Sequence, residues 1–436
     1  MKTIGIGLIG LGTIGTGVAR VLKDNADLIA GRLGARLELV KVADLDIVTD
    51  RGITFPDGVL TTNVGEVLEN KDIAIVIELI GGYEPAKTFI RRALAAGKQV
   101  VTANKALLAK HGDELFQLAA ASGVDFYYEA SVGGGIPIIK VMRESLPANH
   151  IISVSGILNG TCNYILSKMA DEGRAYTDVL AEAQELGYAE ADPTFDVEGI
   201  DTAHKLAILA ALAFGTPINV DGIHVEGITN VQPVDLEFAQ EFGYKIKLLA
   251  IAKSYDNKVE ARVHPTMIPQ QHMLAKIDGV YNAVYIDADM LGPSLYYGQG
   301  AGMLPTASAV IADVIDIARN ILPASSQRVP FLGSQPQAIK TLPYLPIEEI
   351  SCKYYLRFTA HDQPGVLSSI AGILGQHRIS IASVIQKGRN DAGGTVPIVM
   401  QTHQALERDL QYALKEIASL PVIADRAIVI RMETDL

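Results

Sequence analysis

Cysteine is scarce in this sequence, which limits the kinds of site that it can form. Only Cys162 and Cys352 occur among 436 residues, far apart and without the close spacing of metal ligands. A disulfide framework and a zinc site are therefore not expected. A reducing, cytoplasmic location fits this cysteine usage best.

Basic charge and long apolar runs are also scarce. The chain has 37 Lys and Arg against 49 Asp and Glu, a net charge of −12, which disfavours nucleic acid and anionic membranes as partners. No apolar run reaches the ~18 residues of a membrane helix, and the first residues lack the pattern of a signal peptide. Hydrophobic residues nevertheless make up 49% of the chain, and its length predicts two or three domains.

Short apolar segments alternate with helical patterns in the first third of the chain. Strands are predicted at 4–10, 37–43, 73–79, 99–102 and 124–129, and helices at 14–30, 85–96 and 106–121. This alternation indicates βαβ units and an α/β fold with a doubly wound parallel sheet. We place this Rossmann-like, dinucleotide-binding domain at residues 1–135. Glu78 is the one acidic residue that interrupts the apolar run 73–80.

Three further segments follow. Residues 136–321 combine helices with later strands, which predicts an α+β domain for substrate binding, catalysis and dimerisation. Five prolines indicate an extended linker at 322–350. Residues 351–436 have the order βαββαβ, which is typical of a small ferredoxin-like domain that forms a unit of its own.

A glycine-rich motif, Gly10-Leu11-Gly12-Thr13-Ile14-Gly15, follows the first strand and opens a helix. Its glycines permit a tight turn and the close approach of a pyrophosphate, and the helix N-terminus supplies N–H donors. The backbone of Gly10, Gly12, Thr13, Ile14 and Gly15 is therefore the expected cofactor site. A GxGxxG motif alone is weak evidence, but its position between a strand and a helix is the context that dinucleotide binding requires.

Asp44 ends the second predicted strand and is the candidate for binding the cofactor ribose. A carboxylate there would accept hydrogen bonds from the 2′-hydroxyl and repel a 2′-phosphate, which favours NAD over NADP. Lys41 and Arg51 are nearby cations that could still bind a phosphate, so both cofactors stay open.

Two lysines are candidates for catalysis. Lys105 follows a parallel strand, at the sheet edge where ligands bind in such folds. Lys205 lies four residues after Asp201, so both share one face of a strongly apolar helix. Desolvation would loosen the ammonium proton of Lys205, as a proton donor requires. A solvated Lys105 and a surface ion pair between Asp201 and Lys205 are the alternatives that do not involve function.

The sequence resembles the homoserine dehydrogenases over residues 1–320. The resemblance is carried by the order Ala183, Gly187, Asp192-Pro193, Asp196, Gly199, Asp201 and Lys205, by Thr102-Ala103-Asn104-Lys105, by Gly133-Gly134-Gly135-Ile136-Pro137, by Asn159-Gly160-Thr161, and by Gly300-Ala301-Gly302-Met303-Leu304-Pro305-Thr306-Ala307. It implies reversible reduction of L-aspartate 4-semialdehyde to L-homoserine with a nicotinamide cofactor, a step toward threonine and methionine.

The resemblance also implies the roles of individual residues. Lys205 would be the proton donor and Asp201 would orient it, while Lys105 would act at the junction of cofactor and substrate. Glu190 and Asp196 would bind the amino group of homoserine. Gly187 belongs to the same substrate-binding segment, and Gly302 would lie near the nicotinamide in a loop that closes over the cofactor.

A monovalent cation such as sodium is a further implication of the resemblance. Its ligands would be the carboxylate of Glu129 and the backbone carbonyls of Val132, Gly134 and Ile136. Ligation by oxygen alone suits a hard cation. The same glycines could instead serve only to turn the backbone.

The last block resembles an ACT domain, with Asp362-Gln363-Pro364-Gly365-Val366-Leu367 in the place of its ligand loop. The backbone at Gly365 would approach a small effector closely. The resemblance implies threonine as that effector and, since such domains bind amino acids between paired copies, a homodimer or homotetramer. A pairing module that senses nothing is the alternative.

One departure from the family bears on the cofactor. Many relatives have an arginine just before the acid that ends the second strand, and this chain has Ala43 there, which supports NAD. Two other functions stay open: a dehydrogenase of another semialdehyde or a 2-hydroxy acid, and a catalytically inactive sensor of dinucleotides and amino acids. The first would need a histidine acid near the cofactor, and the retained lysines and carboxylates argue against the second.

Overall fold

The computed structural model describes residues 1–387, 394–434 and 436. Its strands are β1 (Lys2–Ile9), β2 (Ala35–Ala43), β3 (Leu60–Thr61), β4 (Ile73–Glu78), β5 (Gln99–Thr102), β6 (Phe126–Tyr127), β7 (Ile151–Ile157), β8 (His224–Val225), β9 (Tyr244–Tyr255), β10 (Lys258–Pro269), β11 (Tyr281–Ala288), β12 (Ser294–Gln299), β13 (Ser351–His361), β14 (Ile381–Gln386), β15 (Thr395–Thr402), β16 (Ala405–Leu406) and β17 (Ile428–Met432).

The α-helices are α1 (Thr13–Asp24), α2 (Ala26–Leu33), α3 (Gly65–Leu68), α4 (Ala86–Ala95), α5 (Lys105–Ser122), α6 (Ile138–Lys140), α7 (Gly160–Glu172), α8 (Tyr176–Glu185), α9 (Thr194–Val197), α10 (Ile200–Phe214), α11 (Pro233–Glu241), α12 (Met303–Ile321), α13 (Val366–Gln376) and α14 (Glu407–Ile417). Short 3₁₀ turns and one π-helical turn, Val141–Ser145, connect some of them. Among the described helices, none combines the length and the apolar character needed to cross a bilayer.

The N-terminal sheet is parallel throughout and has the order β3-β2-β1-β4-β5-β6. This is the strand order of a Rossmann fold, and it confirms the expected α/β class. The order reverses between β1 and β4, so the loops after these strands border the crevice in which such sheets bind dinucleotides. The buried residues of β1 and β4 form near-continuous apolar runs, as strands covered on both faces require.

Helix α12 belongs to the core of this sheet although it lies far along the chain. Its residues Ala307, Val310 and Val314 share one apolar cluster with Val18 of α1 and Ile6 of β1. The two helices approach closely, because a Cβ placed on Gly17 would lie 2.7 Å from the Met303 side chain. Glycine at that position therefore permits the packing of α1 on α12.

Some predicted elements differ in length. The helix expected at 14–30 is interrupted at Asn25 and continues as α2, which ends at Gly34 in the left-handed conformation. The strand expected at 124–129 is reduced to β6, and the chain then enters a 3₁₀ turn, Glu129–Ser131. The amide of Glu129 donates to Asp313 of α12, so a distant side chain replaces strand pairing there.

The chain divides into two compact units that are discontinuous in sequence. The first contains 1–154, 204–220 and 281–342, and the second contains 155–203, 221–280 and 343–436. The division falls inside α10, after Ala203. These units group residues by contact and differ from the sequence-based bounds 1–135, 136–321, 322–350 and 351–436, which stay predictions.

The C-terminal segment has the predicted βαββαβ order. Strands β17-β13-β15-β14 form an antiparallel sheet, and α13 and α14 share an apolar core with β13 and β15. This sheet is not confined to the segment, because β17 also pairs in parallel with β10 of the same unit. The C-terminal sheet therefore continues into the β9–β10 hairpin, and the expectation of a separate small domain at 351–436 stays a prediction.

Candidate active site

The glycine turn after β1 has the geometry of a dinucleotide-binding loop. Gly10 has φ +100°, and a Cβ on Gly15 would lie 2.0 Å from the Gly10 carbonyl oxygen, so both positions need glycine. Gly12 is exposed, with open space where a side chain would stand. Thr13 and Ile14 begin α1, whose first N–H groups can therefore meet a phosphate.

Asp44 lies at the carboxyl end of β2, beside this turn. One of its carboxylate oxygens accepts the Leu11 N–H at 2.5 Å, and the other accepts the Asp46 N–H at 2.8 Å. The Arg51 guanidinium lies 3.8 Å from the same carboxylate. The residue expected to bind ribose therefore also holds the glycine turn in place.

Glu78, at the end of β4, is a buried acid beside the candidate site that was not among the residues predicted from the sequence. It is fully buried, it accepts N–H bonds from Ile80 at 2.8 Å and Gly81 at 3.2 Å, and it accepts the Thr102 hydroxyl at 2.7 Å. Burial raises its pKa despite these hydrogen bonds. Its one signal in the sequence was an acid interrupting an apolar strand. Glu78 joins the two loops that follow β4 and β5.

Lys105 is the first residue of α5 and is half-buried. The preceding Asn104 caps this helix by accepting the Leu107 N–H at 3.1 Å, and its amide donates to the Gly82 carbonyl at 2.7 Å. The backbone of Asn104 in turn donates to the Thr102 hydroxyl at 3.0 Å. This network places Lys105 at the carboxyl edge of the sheet, where the sequence analysis expected it.

The glycine-rich block 133–137 packs against the loop that contains Gly302. A Cβ on Gly134 would lie 2.3 Å from the Gly300 carbonyl oxygen, and the Gly135 N–H donates to the Gln299 carbonyl at 3.0 Å. Gly302 has φ +117°, is exposed, and immediately precedes α12. Two of the motifs recognised in the sequence are therefore neighbours in the first unit.

Glu129 is almost fully buried and accepts the backbone N–H groups of Ile139 and Lys140, each at 2.8 Å. Burial raises its pKa to about 7, and the pKa of the nearby Asp313 is raised well above its usual range by burial and by Glu129. The described residues contain no cluster of three or more His, Cys, Asp or Glu that would bind a metal. Two buried acids at one place nevertheless form a site that a cation would stabilise.

The predicted cation ligands Val132, Gly134 and Ile136 are buried in the segment between Glu129 and α6. Gly134 has φ +54°, which turns the chain there. The carbonyl of Ile136 also accepts the Ile138 N–H at 2.8 Å. Backbone carbonyls offer oxygen atoms as ligands, which is what a hard monovalent cation requires. The residues present therefore fit such an ion.

A second polar cluster lies in the other unit, around the start of α7. The side-chain amide of Asn159 donates to Asp196 at 2.7 Å and to Asp201 at 3.0 Å. Its oxygen caps α7 by accepting the Cys162 N–H at 2.8 Å, and the Thr161 hydroxyl donates to the Tyr188 carbonyl at 2.6 Å. Asn159 therefore brings two of the predicted carboxylates together. In the sequence, Asn159 is singled out only as part of the block Asn159-Gly160-Thr161.

The remaining predicted residues lie on α10 and on the loop after α8. Asp201 and Lys205 are one turn apart on α10, and both are buried, with exposed fractions of 2% and 8%. Gly187 ends α8 with φ +75°, and Glu190 is exposed in the loop that follows. Burial of Lys205 removes the alternative of a fully solvated surface ion pair.

The chain matches three family models. Residues 10–129 match "Homoserine dehydrogenase, NAD binding domain", residues 137–315 match "Homoserine dehydrogenase", and residues 354–421 match "ACT domain". The homoserine dehydrogenase of Neisseria gonorrhoeae is 48% identical over 434 residues, which is 100% of this chain and 99% of the relative. The homoserine dehydrogenase of Pseudomonas aeruginosa is 46% identical over 99% of each chain.

Solved structures give the same result. The homoserine dehydrogenase of Thiobacillus denitrificans is 48% identical, with a TM-score of 0.94, and the match covers 100% of this chain and 99% of that one. A hyperthermophilic archaeal homoserine dehydrogenase in complex with NADPH is 27% identical, with a TM-score of 0.62, over 72% of this chain and 97% of that one.

The parallel sheet of Rossmann order, its glycine turn and the C-terminal ACT domain define an NAD(P)-dependent oxidoreductase with an appended ACT domain. Over its full length, the chain belongs to the homoserine dehydrogenase family.

Proposed function

We propose that this chain catalyses the reversible reduction of L-aspartate 4-semialdehyde to L-homoserine with NAD(P)H. The observation that carries the proposal is the cluster in which Asn159 joins Asp196 to Asp201, one helical turn before the buried Lys205. Carboxylates suit the substrate ammonium, and a desolvated lysine suits proton transfer to a carbonyl oxygen.

A nicotinamide cofactor held at the glycine turn of residues 10–15 would supply a hydride to the aldehyde carbon and would accept it in the reverse direction. Lys205 donates the proton that the aldehyde oxygen gains, and Asp201 orients its ammonium. Asp196 and Glu190 bind the substrate ammonium, with Gly187 in the same segment. Lys105 adds positive charge beside the reacting oxygen. This arrangement stabilises charge where it develops and fixes the reacting groups in place.

We propose NAD as the preferred cofactor. Arg51 donates to the Asp46 carbonyl at 2.7 Å and lies 3.2 Å from the Asp46 carboxylate, so its charge is already compensated. Lys41 donates to Glu66 and to the Gly58 carbonyl, each at 2.6 Å. Both cations that could bind a 2′-phosphate therefore have other partners, while Asp44 would repel it.

We propose that the site around Glu129 holds a monovalent cation such as sodium. The carboxylate of Glu129 and the carbonyls of Val132, Gly134 and Ile136 would be its ligands. The cation would neutralise the buried carboxylate and order the backbone of the block that packs against the Gly300 loop.

For the C-terminal domain we propose feedback by threonine at the loop between β13 and α13. Gly365 in this loop has φ +94°, is exposed, and has open space around it. A ligand can therefore approach its backbone closely. Binding between paired copies predicts a homodimer or homotetramer. Neither of the buried residues Cys162 and Cys352 forms a disulfide, which supports the reducing, cytoplasmic location that we propose.

One assay tests these proposals together. NADH and NADPH oxidation is followed with aspartate semialdehyde, with and without threonine, at low and high sodium. We expect oxidation of both cofactors, a higher kcat/KM with NADH, inhibition by threonine, and higher activity with sodium. Absence of oxidation with either cofactor would remove the enzymatic proposal and leave the inactive sensor.

A further inference from the structure

We infer that Glu226, held by Arg431 of the ACT domain, is a positioning residue for the substrate-binding carboxylate Asp196. The inference rests on the proposed function, because it assigns Asp196 to the substrate ammonium. It concerns a chain of contacts inside the second unit that runs from β17 through Glu226 to residues 196–199. We call residues 196–199 the substrate turn.

The segment 226–228 lies directly against the substrate turn. The Ile228 N–H donates to the Val197 carbonyl at 2.9 Å. A Cβ on Gly227 would lie 2.4 Å from that carbonyl oxygen and 2.6 Å from the Glu198 Cα. The two nearest atoms at this contact belong to the backbone, so rotation of the nearby Glu198 side chain alone cannot absorb a displacement. A shift of segment 226–228 must therefore move the substrate turn.

The other side of the substrate turn is equally confined. A Cβ on Gly199 would lie 3.1 Å from both Val225 of β8 and Val263 of β10, and 3.4 Å from the Glu226 carbonyl oxygen. The Glu226 N–H donates to the Val263 carbonyl at 2.8 Å. Gly199 is also the residue immediately before α10, which carries Asp201. Segment 226–228 therefore contacts the substrate turn both at Val197 and at Gly199, and its position affects both ends of the turn.

The ACT domain fixes the side chain of Glu226. An Arg431 guanidinium nitrogen lies 2.9 Å from its carboxylate, and the same oxygen is 2.7 Å from His224 Nε2. Burial alone would raise the pKa of Glu226, but the His224 hydrogen bond and the charge of Arg431 lower it. Glu226 is therefore ionised at neutral pH, and its pair with Arg431 is a full ion pair.

Arg431 itself is immobilised by the ACT core. It is 3% exposed and forms two hydrogen bonds with Glu407, at 2.8 and 2.7 Å. Glu407 is the first residue of α14 and also accepts the Tyr354 hydroxyl at 3.0 Å. A two-point guanidinium–carboxylate pair has a fixed orientation. Movement of β17 or α14 is thus transmitted to Glu226 and then to Asp196.

The test is steady-state kinetics of homoserine oxidation by the full chain carrying Glu226→Gln. This change keeps the size of the side chain and removes its charge. We expect KM for homoserine to rise roughly fivefold, as a coupled ion pair predicts, while KM for the cofactor and the melting temperature stay near wild type. Glu226→Asp, which keeps the charge, should restore part of the lost affinity.

Arg431→Lys provides the second arm of a double-mutant cycle. If Arg431 acts through Glu226, the double variant raises KM for homoserine no further than the larger single change. Lys253→Gln is the matched control, since it breaks the 2.7 Å pair between Lys253 and Glu433 of the same sheet without touching the substrate turn. Its KM for homoserine should equal that of wild type.

The outcomes distinguish failure of the proposed function from failure of the inference about Glu226. A wild-type chain that does not oxidise homoserine contradicts the proposed function. An active wild type with an unchanged KM for homoserine in Glu226→Gln overturns the inference alone. If Glu226→Gln is poorly folded, Gly227→Ala takes its place in the test, because the added Cβ pushes directly on Val197. An unchanged KM for homoserine in a folded Gly227→Ala would also overturn the inference.

Discussion

The side-chain amide nitrogen of Asn159 lies 2.7 Å from a carboxylate oxygen of Asp196. The same amide also donates to Asp201, and its oxygen caps α7. One neutral side chain therefore holds two acids close together and anchors them to a helix start. Without that donor, the like charges of the two carboxylates would separate them.

The first prediction concerns this anchor. Asn159→Ala should raise KM for homoserine about tenfold or more, since losing a hydrogen bond to a charged group costs about 1.5–3 kcal/mol. KM for the cofactor should change little, because the glycine turn is in the other unit. Asn63→Ala is the control: Asn63 also accepts a backbone N–H, from Gly65, but it is exposed. Equal KM values for homoserine in both variants would contradict the role of Asn159.

The second prediction concerns the proton donor. Lys205→Ala should lower kcat by roughly 100-fold or more, which is the usual contribution of a general acid. The dissociation constant for NADH, measured by fluorescence, should stay near wild type. Lys168→Ala removes a half-buried lysine that pairs with Glu172 on α7, and it should keep full turnover. Turnover that survives in Lys205→Ala removes this residue from the mechanism.

The third prediction concerns the cofactor site. Asp44→Ala should lower kcat/KM for NADH about tenfold, because it removes both the ribose acceptor and the acceptor of the Leu11 N–H. The loss should be smaller with NADPH, since repulsion of the 2′-phosphate disappears as well. Asp50→Ala in the following exposed loop is the control. An equal loss with both cofactors would mean that Asp44 only supports the turn.

The fourth prediction concerns pH. Glu129 has a folded pKa of about 7, above its usual value of 4.5, so the folded chain binds this proton more tightly than the unfolded chain. Its contribution to stability is therefore full below pH 4.5 and is lost as pH rises to about 7. Glu129→Gln should flatten the fall in unfolding free energy over that window, by at most about 3 kcal/mol.

Denaturant titrations at several pH values measure this effect, with Glu185→Gln on exposed α8 as the control. Sodium should raise the melting temperature more at pH 8 than at pH 5, because the cation needs an ionised Glu129. A sodium effect that does not depend on pH would argue against the cation site, and a slope unchanged in Glu129→Gln would contradict the raised pKa of Glu129.

Local patterns predicted the elements that depend on neighbouring residues. The glycine turn, the apolar strands β1 and β4, and the βαββαβ order follow from apolar periodicity and from glycine placement, which act over a few residues. Spacing alone put Asp201 and Lys205 on one face of α10. The signature that these residues share with Gly187 and Asp196 indicated the family before any geometry was available.

Contacts between distant residues decided the rest. The hydrogen bond that the Glu129 N–H donates to the Asp313 carboxylate replaces strand pairing after β6, and the pairing of β17 with β10 makes the C-terminal sheet part of a larger one. The ion pair of Arg431 with Glu226 has no signature in the sequence, because side chains far apart along the chain leave no periodic pattern. The sequence by itself determined the class of fold and the family, and it predicted the two catalytic lysines. Only the tertiary structure decided which side chains hold Asp196 and Asp201 in place, because burial and long-range hydrogen bonding exist only after folding.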